Sequence, residues 1–212
     1  MVFEPGGLVK RNKEKMKEVF LIIKSSALFL LFIAIVSFTN CVDESQINLS
    51  NRTVIDSLRD QIKQLTTTNA QISSNLLTFD TLDFTVFSNQ DWLRLHESHA
   101  ADIKVNWPDG HVTTGIDKHI SDLKAMFVYA PNTQIKQHPI RFGSSDMTCV
   151  TGIMTGTFSA PMPIGEGKFI QPTNKSFALP MCTVGIWKSG VMVEEYLFWD
   201  NQTYMNQIGV GK

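Results

Sequence analysis

The stretch GVMVEEYLFWD, residues 190–200, decides how this chain is read. Its only charged side chains are Glu194, Glu195 and Asp200, in a run otherwise rich in apolar, β-branched and aromatic residues, the composition of a strand held inside a sheet. Side chains alternate along a strand. Met192, Glu194, Tyr196, Phe198 and Asp200 are therefore predicted to share one face, with Val193, Glu195, Leu197 and Trp199 on the other. The first face carries two aromatics and ends in an acid, as the wall of a pocket would. Glu194, Tyr196 and Phe198 become candidate ligand contacts. The second face is nearly as apolar and also needs cover, from packing or from a second copy of the chain.

Immediately upstream, Lys188-Ser189-Gly190 reads as a hairpin turn and residues 176–187 as the partner strand. Residues 147–158 read as a Thr- and Gly-rich strand, in which Gly152 and Gly156 allow a bend or the close approach of another backbone. Residues 133–142 alternate as a further strand, and a Pro/Gly-rich loop over 160–174 is long enough for a lid or an interaction surface. Ahead of the strands the period changes. Ile116, Ile120, Leu123, Met126 and Phe127 keep helical spacing up to a stop at Ala130-Pro131-Asn132. The apolar residues from Phe79 to Leu95 mark one or two helices ending near Ala101, followed by a short strand, Val105-Asn106-Trp107, and a turn at Pro108-Asp109-Gly110. Helices first and antiparallel strands afterwards predict an α+β domain over residues 76–212.

A length of 212 residues suits one ordinary domain with appendages, and a formal net charge of −1 argues against a nucleic-acid partner. The appendages lie at the N-terminus. Lys10, Arg11, Lys13, Lys15, Lys17 and Lys24 form a basic region ahead of the uncharged run SSALFLLFIAIVSF, residues 25–38. That run is shorter than the roughly 20 residues of a transmembrane helix and fits the apolar part of a secretory signal. Cys41 follows almost at once, so residues 1–41 resemble a bacterial lipoprotein signal in which Cys41 becomes the lipidated first residue. The alternative is an uncleaved signal anchor starting near Leu21, and Met16 is an alternative start. Either reading places the body of the protein in the cell envelope, membrane-anchored and facing the periplasm or exterior. Residues 42–75 read as a polar tether, partly helical through Val54, Ile55, Leu58, Ile62 and Leu65, with the pattern broken over Thr66–Ser74.

Several segments in order carry a family resemblance: DWLRLHESHAADIKVNWPDG (91–110), TGIMTGTF (151–158), PTNKSFALP (172–180), and GVMVEEYLFWDN (190–201) with its QIG ending (207–209). They resemble the SnoaL-like polyketide cyclases, also called ester cyclases, of the nuclear-transport-factor-2-like superfamily, from about Phe79 to Gly209. The resemblance implies a cone in which a strongly curved antiparallel sheet wraps helices around a deep apolar cavity. It also implies a homodimer and a cofactor-free, metal-free activity, the closing of a ring by intramolecular aldol condensation of a polyketide ester. The acid/base of such enzymes is an aspartate at the end of the last long strand, a position that Asp200 occupies here. An aldol step needs a base beside a carbonyl and an acid at its oxygen, and an aspartate walled by Tyr196 and Phe198 would be desolvated and raised in pKa. Capping of the next helix is the other role open to Asp200. The expected partner is a small apolar carbonyl or ester compound, with a non-catalytic carrier of such a compound as the alternative.

The remaining candidates follow from position. His96 and His99 lie three apart on an expected helix, without the HExxH spacing of a zinc pair, and His99 is the one expected to face the cavity. Trp92, Trp107 and His111 are placed near its mouth, and Phe127, Met154 and Met181 in its wall. His119 is expected to be half exposed. His138 and Arg141 are expected on opposite faces of a strand, acting separately. Cys149 and Cys182 read as two buried free thiols, with a disulfide as the alternative.

Overall fold

The computed structural model describes residues 16–17 and 44–211. The expected signal segment and the lipidation of Cys41 fall outside them, apart from Met16 and Lys17. By internal contacts the chain divides into two units, Met1–Ile62 and Lys63–Lys212. Among the described residues no helix is long and apolar enough to cross a membrane.

Helix α1 runs unbroken over Glu44–Thr81, where a tether interrupted at Thr66–Ser74 was expected. The polar stretch stays helical because its hydroxyls bond back within the helix instead of competing with it. Thr67 donates to the Lys63 carbonyl and Ser73 to that of Asn69. A π-helical turn, Leu82–Phe87, continues directly from α1 and turns Leu82, Asp83, Val86 and Phe87 inward. A 3₁₀ turn, Trp92–Glu97, follows. Helix α2 spans Ile116–Tyr129 and starts at Gly115, whose φ of 93° is readily adopted only without a Cβ.

One seven-stranded sheet packs against the π-helical turn, the 3₁₀ turn and α2. Its strands are β1 (His99–Asn106), β2 (Val112–Thr114), β3 (Gln134–Ile135), β4 (Arg141–Ser144), β5 (Met147–Thr157), β8 (Ser176–Lys188) and β9 (Val191–Trp199). The order is β2-β1-β9-β8-β5-β3, with β4 also on β5. The sheet is mixed rather than antiparallel throughout, because β1 runs parallel to β9. A short pair, β6 (Met162–Pro163) with β7 (Phe169–Ile170), lies inside the expected 160–174 loop. Helix α3, Asn201–Gln207, closes the domain.

The long hairpin β8–β9 turns through Ser189 and Gly190, both at positive φ (53° and 85°), the two-residue connection whose twist matches the strands. Just past the turn the ladder slips. Trp187 faces Met192, but Ile186 faces Glu194, so Val193 is an extra residue in β9. Met192 and Glu195 therefore both point inward, three apart, followed by Leu197 and Trp199 in normal alternation. The pocket face predicted for β9 was the wrong one beyond this bulge. Glu194, Tyr196 and Phe198 lie on the outer face, Phe198 52% exposed, and Glu194 is taken up by Lys104, Asn106 and the Tyr196 hydroxyl.

The core joins Phe79, Leu82, Val86 and Phe87 to Ile103, Leu179, Met192 and Leu197. Fully buried side chains such as Leu179 contribute about 1.5–3 kcal/mol each. Packing is close where β5 meets β8. A Cβ on Gly156 would lie 2.6 Å from the Phe177 ring and 3.1 Å from the Thr133 hydroxyl. Gly156→Ala is expected to destabilise the domain by about 1–3 kcal/mol, as over-packing does, read as an earlier urea midpoint at unchanged slope.

Candidate active site

The helices and the inner face of the sheet enclose a cavity of about 40 Å³. Much of its wall is apolar, with Leu82, Phe87 and Leu123 beside the flexible Met126, Met154 and Met181, which can part for a ligand. Its titratable groups are Asp83, His99, His119 and Glu195.

Glu195 is the focus. It is 4% exposed, and its Oε2 lies 3.7 Å from His99 Nε2 and 3.5 Å from His119 Nε2. The 3.7 Å separation is too long for a hydrogen bond, and Oε2 and His99 Nε2 are buried without a hydrogen-bond partner. Burial pushes the Glu195 carboxyl up, but the adjacent His99 and then His119 outweigh it and leave the group below its ordinary value. Burial drives His119 the other way, down to about 4 despite the pull of Glu195, so this imidazole is neutral at pH 7. His99 opens β1, with Nδ1 2.8 Å from the Ser98 hydroxyl, which also reaches the Leu95 carbonyl. Ligand atoms of His99, His119 and Glu195 all lie within 4.8 Å of one another, so this set has the donors and spacing to accept a transition-metal ion.

A second buried carboxyl faces the same cavity. Asp83 is raised in pKa by burial, a shift that the hydrogen bond and charge of His138 oppose and the charge of Glu195 reinforces. His138 is buried to 2% of its side chain and bonds two acids, Nδ1 to Asp80 Oδ1 at 2.7 Å and Nε2 to Asp83 Oδ2 at 2.8 Å. Burial lowers the imidazole, but the bonds and charges of Asp83 and Asp80 prevail and raise it.

Comparison with known proteins gives this architecture a family. The profile of the SnoaL-like polyketide cyclases matches residues 80–208. The chain belongs to that family. Its fold is shared with a candidate SnoaL-like polyketide cyclase from Jannaschia sp. CCS1 (TM-score 0.58, 19% identity, 66% of this chain and 95% of the other). It is shared too with wild-type IdmH, a candidate polyketide cyclase from Streptomyces antibioticus (TM-score 0.55, 20% identity, 64% and 99%). A third similar structure is a protein with a ketosteroid isomerase-like fold from Catenulispora acidiphila, in complex with trimethylamine (TM-score 0.51, 13% identity, 64% and 92%). A search of curated proteins found no significant match.

Within this SnoaL-like domain the predicted site residues separate. His99, Trp107, Met154 and Met181 line the cavity. Phe127 is buried beside it, in edge contact with Phe87 and Trp92. His111 is half exposed, stacked on the outer side of Trp107 and bonded to Asp109. Asp200 is exposed, and its oxygens accept from the Gln202 backbone and the Thr203 hydroxyl, capping α3. The Thr203 hydroxyl, then backbone donors, hold its carboxyl below the ordinary value, opposite to the rise expected for a pocket acid. His119 is 2% exposed, not half exposed. His138 and Arg141 do act together, since both hold Asp80. Cys149 and Cys182 are free and half-buried, their sulfurs 3.5 Å apart. Glu195 and Asp83 were missed, Glu195 because the bulge turns it inward and Asp83 because a π-helical turn leaves no period to read.

His138 and Asp83 set the sign of one pH effect. A histidine raised on folding contributes stability that is complete below about pH 6.5 and lost as pH rises through its folded value. Asp83, raised as well, acts in the same sense above its unfolded value of about 3.9. Above about pH 7, where the opposing contribution of the depressed His119 is already complete, the melting temperature is therefore expected to fall toward about pH 9. His138→Gln, which takes on no proton, should melt lower at pH 6 and show a flatter slope.

Proposed function

We propose that the domain binds a small apolar carbonyl or ester compound in the cavity and moves protons on it, as a SnoaL-like cyclase without a bound cofactor. Glu195 takes a proton from carbon beside the carbonyl, and Asp83 supplies one to the oxygen that gains charge. The observation that carries this reading is the pair of buried carboxyls facing one cavity with opposite pKa shifts, Glu195 down and Asp83 up. Environments that push two like groups apart divide the roles of base and acid between them. His99, the largest influence opposing burial, holds Glu195 below its ordinary value in an apolar site, and its free Oε2 is available to a substrate proton. No step requires a metal, although the His99–His119–Glu195 set has the donors for one.

The exposed cap role of Asp200 favours a second reading, a carrier that holds an apolar compound unchanged. The two part on exchange. With cyclopentanone in D₂O containing EDTA, the full chain is expected to catalyse deuterium incorporation beside the carbonyl, followed by proton NMR. Glu195→Gln should lower the rate about 10²–10⁴-fold, and Asp200→Ala should leave it unchanged. Equal rates for wild type and Glu195→Gln would sink the acid/base reading, and binding without exchange would select the carrier.

The outer face of the sheet supports pairing with a second copy. Phe142 on β4, Met147 on β5 and Phe198 on β9 are all more than 40% exposed there. Phe198→Asp is expected to convert a dimer into a monomer in sedimentation while leaving exchange intact; a wild-type monomer would remove this assignment.

A further inference from the structure

The Asp83 carboxyl is enclosed, and a buried acid that gives up a proton must regain it. The chain behind it leads outward. His138 lies between the Phe79 and Phe84 rings, with centroids 5.7 and 4.5 Å away, and touches Asp83 with one nitrogen and Asp80 with the other. The Asp80 side chain is 21% exposed and is paired with the half-exposed Arg141 of β4. Asp83 lines the cavity; Asp80 reaches the surface.

Both contacts, at 2.7 and 2.8 Å, are hydrogen bonds, and each needs one hydrogen. Carboxylates only accept and a neutral imidazole donates once, so an ionised Asp80, a neutral His138 and an ionised Asp83 are one hydrogen short. Two hydrogens must therefore be shared among the three groups. They sit both on the ring, or on the Asp80 oxygen and His138 Nε2, or on His138 Nδ1 and the Asp83 oxygen.

We propose that Asp80, His138 and Asp83 form a proton relay that recharges the cavity acid from solvent. In the inward step the Asp80 O–H breaks as Nδ1–H forms, and Nε2–H breaks as an O–H forms on Asp83 Oδ2. Once Asp83 has passed its proton to the ligand, solvent protonates Asp80, and the imidazole loses Nδ1–H and regains Nε2–H by tautomer exchange, which restores the starting arrangement. One proton enters at the surface and one arrives at the cavity, with no change of oxidation state. Arg141 sets the charge at the outer end, and Glu195 and His99 act on Asp83 at the inner end. Asp80 and His138 are positioning and transfer groups; Asp83 is the member that touches the ligand. The relay serves the acid/base reading above, but its proton coupling can be measured without turnover.

The full chain, labelled with ¹⁵N-histidine and carboxyl-¹³C-aspartate, is titrated by NMR as wild type, Asp80→Asn and Arg141→Gln. A relay requires His138 and Asp83 to show the same titration steps. Asp80→Asn removes an outer negative charge and should move both downward, and Arg141→Gln should move both upward, each by about one pH unit. A clamp that merely holds the helix turn in place would let His138 shift while Asp83 keeps its own midpoint, and that result overturns the relay. In cyclopentanone exchange the alkaline limb of the pH profile is expected to move with the NMR midpoints. A limb that stays fixed in both variants also overturns it. Absence of exchange in wild type removes the acid/base reading, and the shared titration steps then decide the relay by themselves.

Discussion

Trp187 and Met192 face each other across the β8–β9 hairpin, one residue out of step with the Ile186–Glu194 pair beside them. The site depends on that slip. Side chains in a strand have a period of two, so one extra residue exchanges the faces of everything beyond it. Here it brings Glu195 under the helices and leaves Glu194 outside, where Lys104, Asn106 and Tyr196 satisfy it. The slip is anchored from both sides. Trp187 is 4% exposed and donates its indole N–H to Thr148 Oγ1, and the Met192 amide donates to the Ser98 carbonyl at the mouth of β1. A carboxylate would not stay ionised in this interior unaided, since desolvation favours its neutral form. The His99 imidazole, 3.7 Å away, is the largest influence that reverses that preference.

The same interior holds its second acid by a different device. Asp83 comes from a π-helical turn, where the wider spacing rotates one side chain off the helical stripe and toward the sheet. Its neighbours differ accordingly. Glu195 has histidines that approach without hydrogen bonding, and Asp83 has one bonded histidine that a further acid also claims. Two carboxyls in one cavity thus hold their protons differently, which a symmetrical pair of environments could not achieve.

The order of elements, helix α2 and the long strands β5, β8 and β9 were legible because their periods are regular and their turns carry Gly, Pro or Ser-Gly. The family was legible from several segments in sequence. What failed was local irregularity. The face of β9 was assigned by strict alternation, which the Val193 bulge breaks, and Asp200 was placed in the pocket by that count together with the position of the acid in the family it resembles. His99 was read on a helix with His96, but the helical turn stops at Glu97 and His99 begins a strand. His138 and Arg141 were separated by strand parity in a segment, 136–140, that forms no strand. The parallel seating of β1 on β9 was beyond reach, since nothing within β1 records which strand so far along the chain will adopt it.

That seating governs when the site can exist. Lys104 of β1 and its partner Glu194 of β9 are 90 positions apart, and β9 is the last strand of the domain. While the ribosome is still making the chain, the helices, the β5 strand and most of the apolar lining can emerge before Glu195 is available to be buried among them. The apolar wall therefore collects first, free of that charge, and the carboxylate arrives with the closing strand, to meet histidines already present in the nascent chain. A polypeptide released before its last strand is made carries most of the cavity lining but not the carboxylate of Glu195.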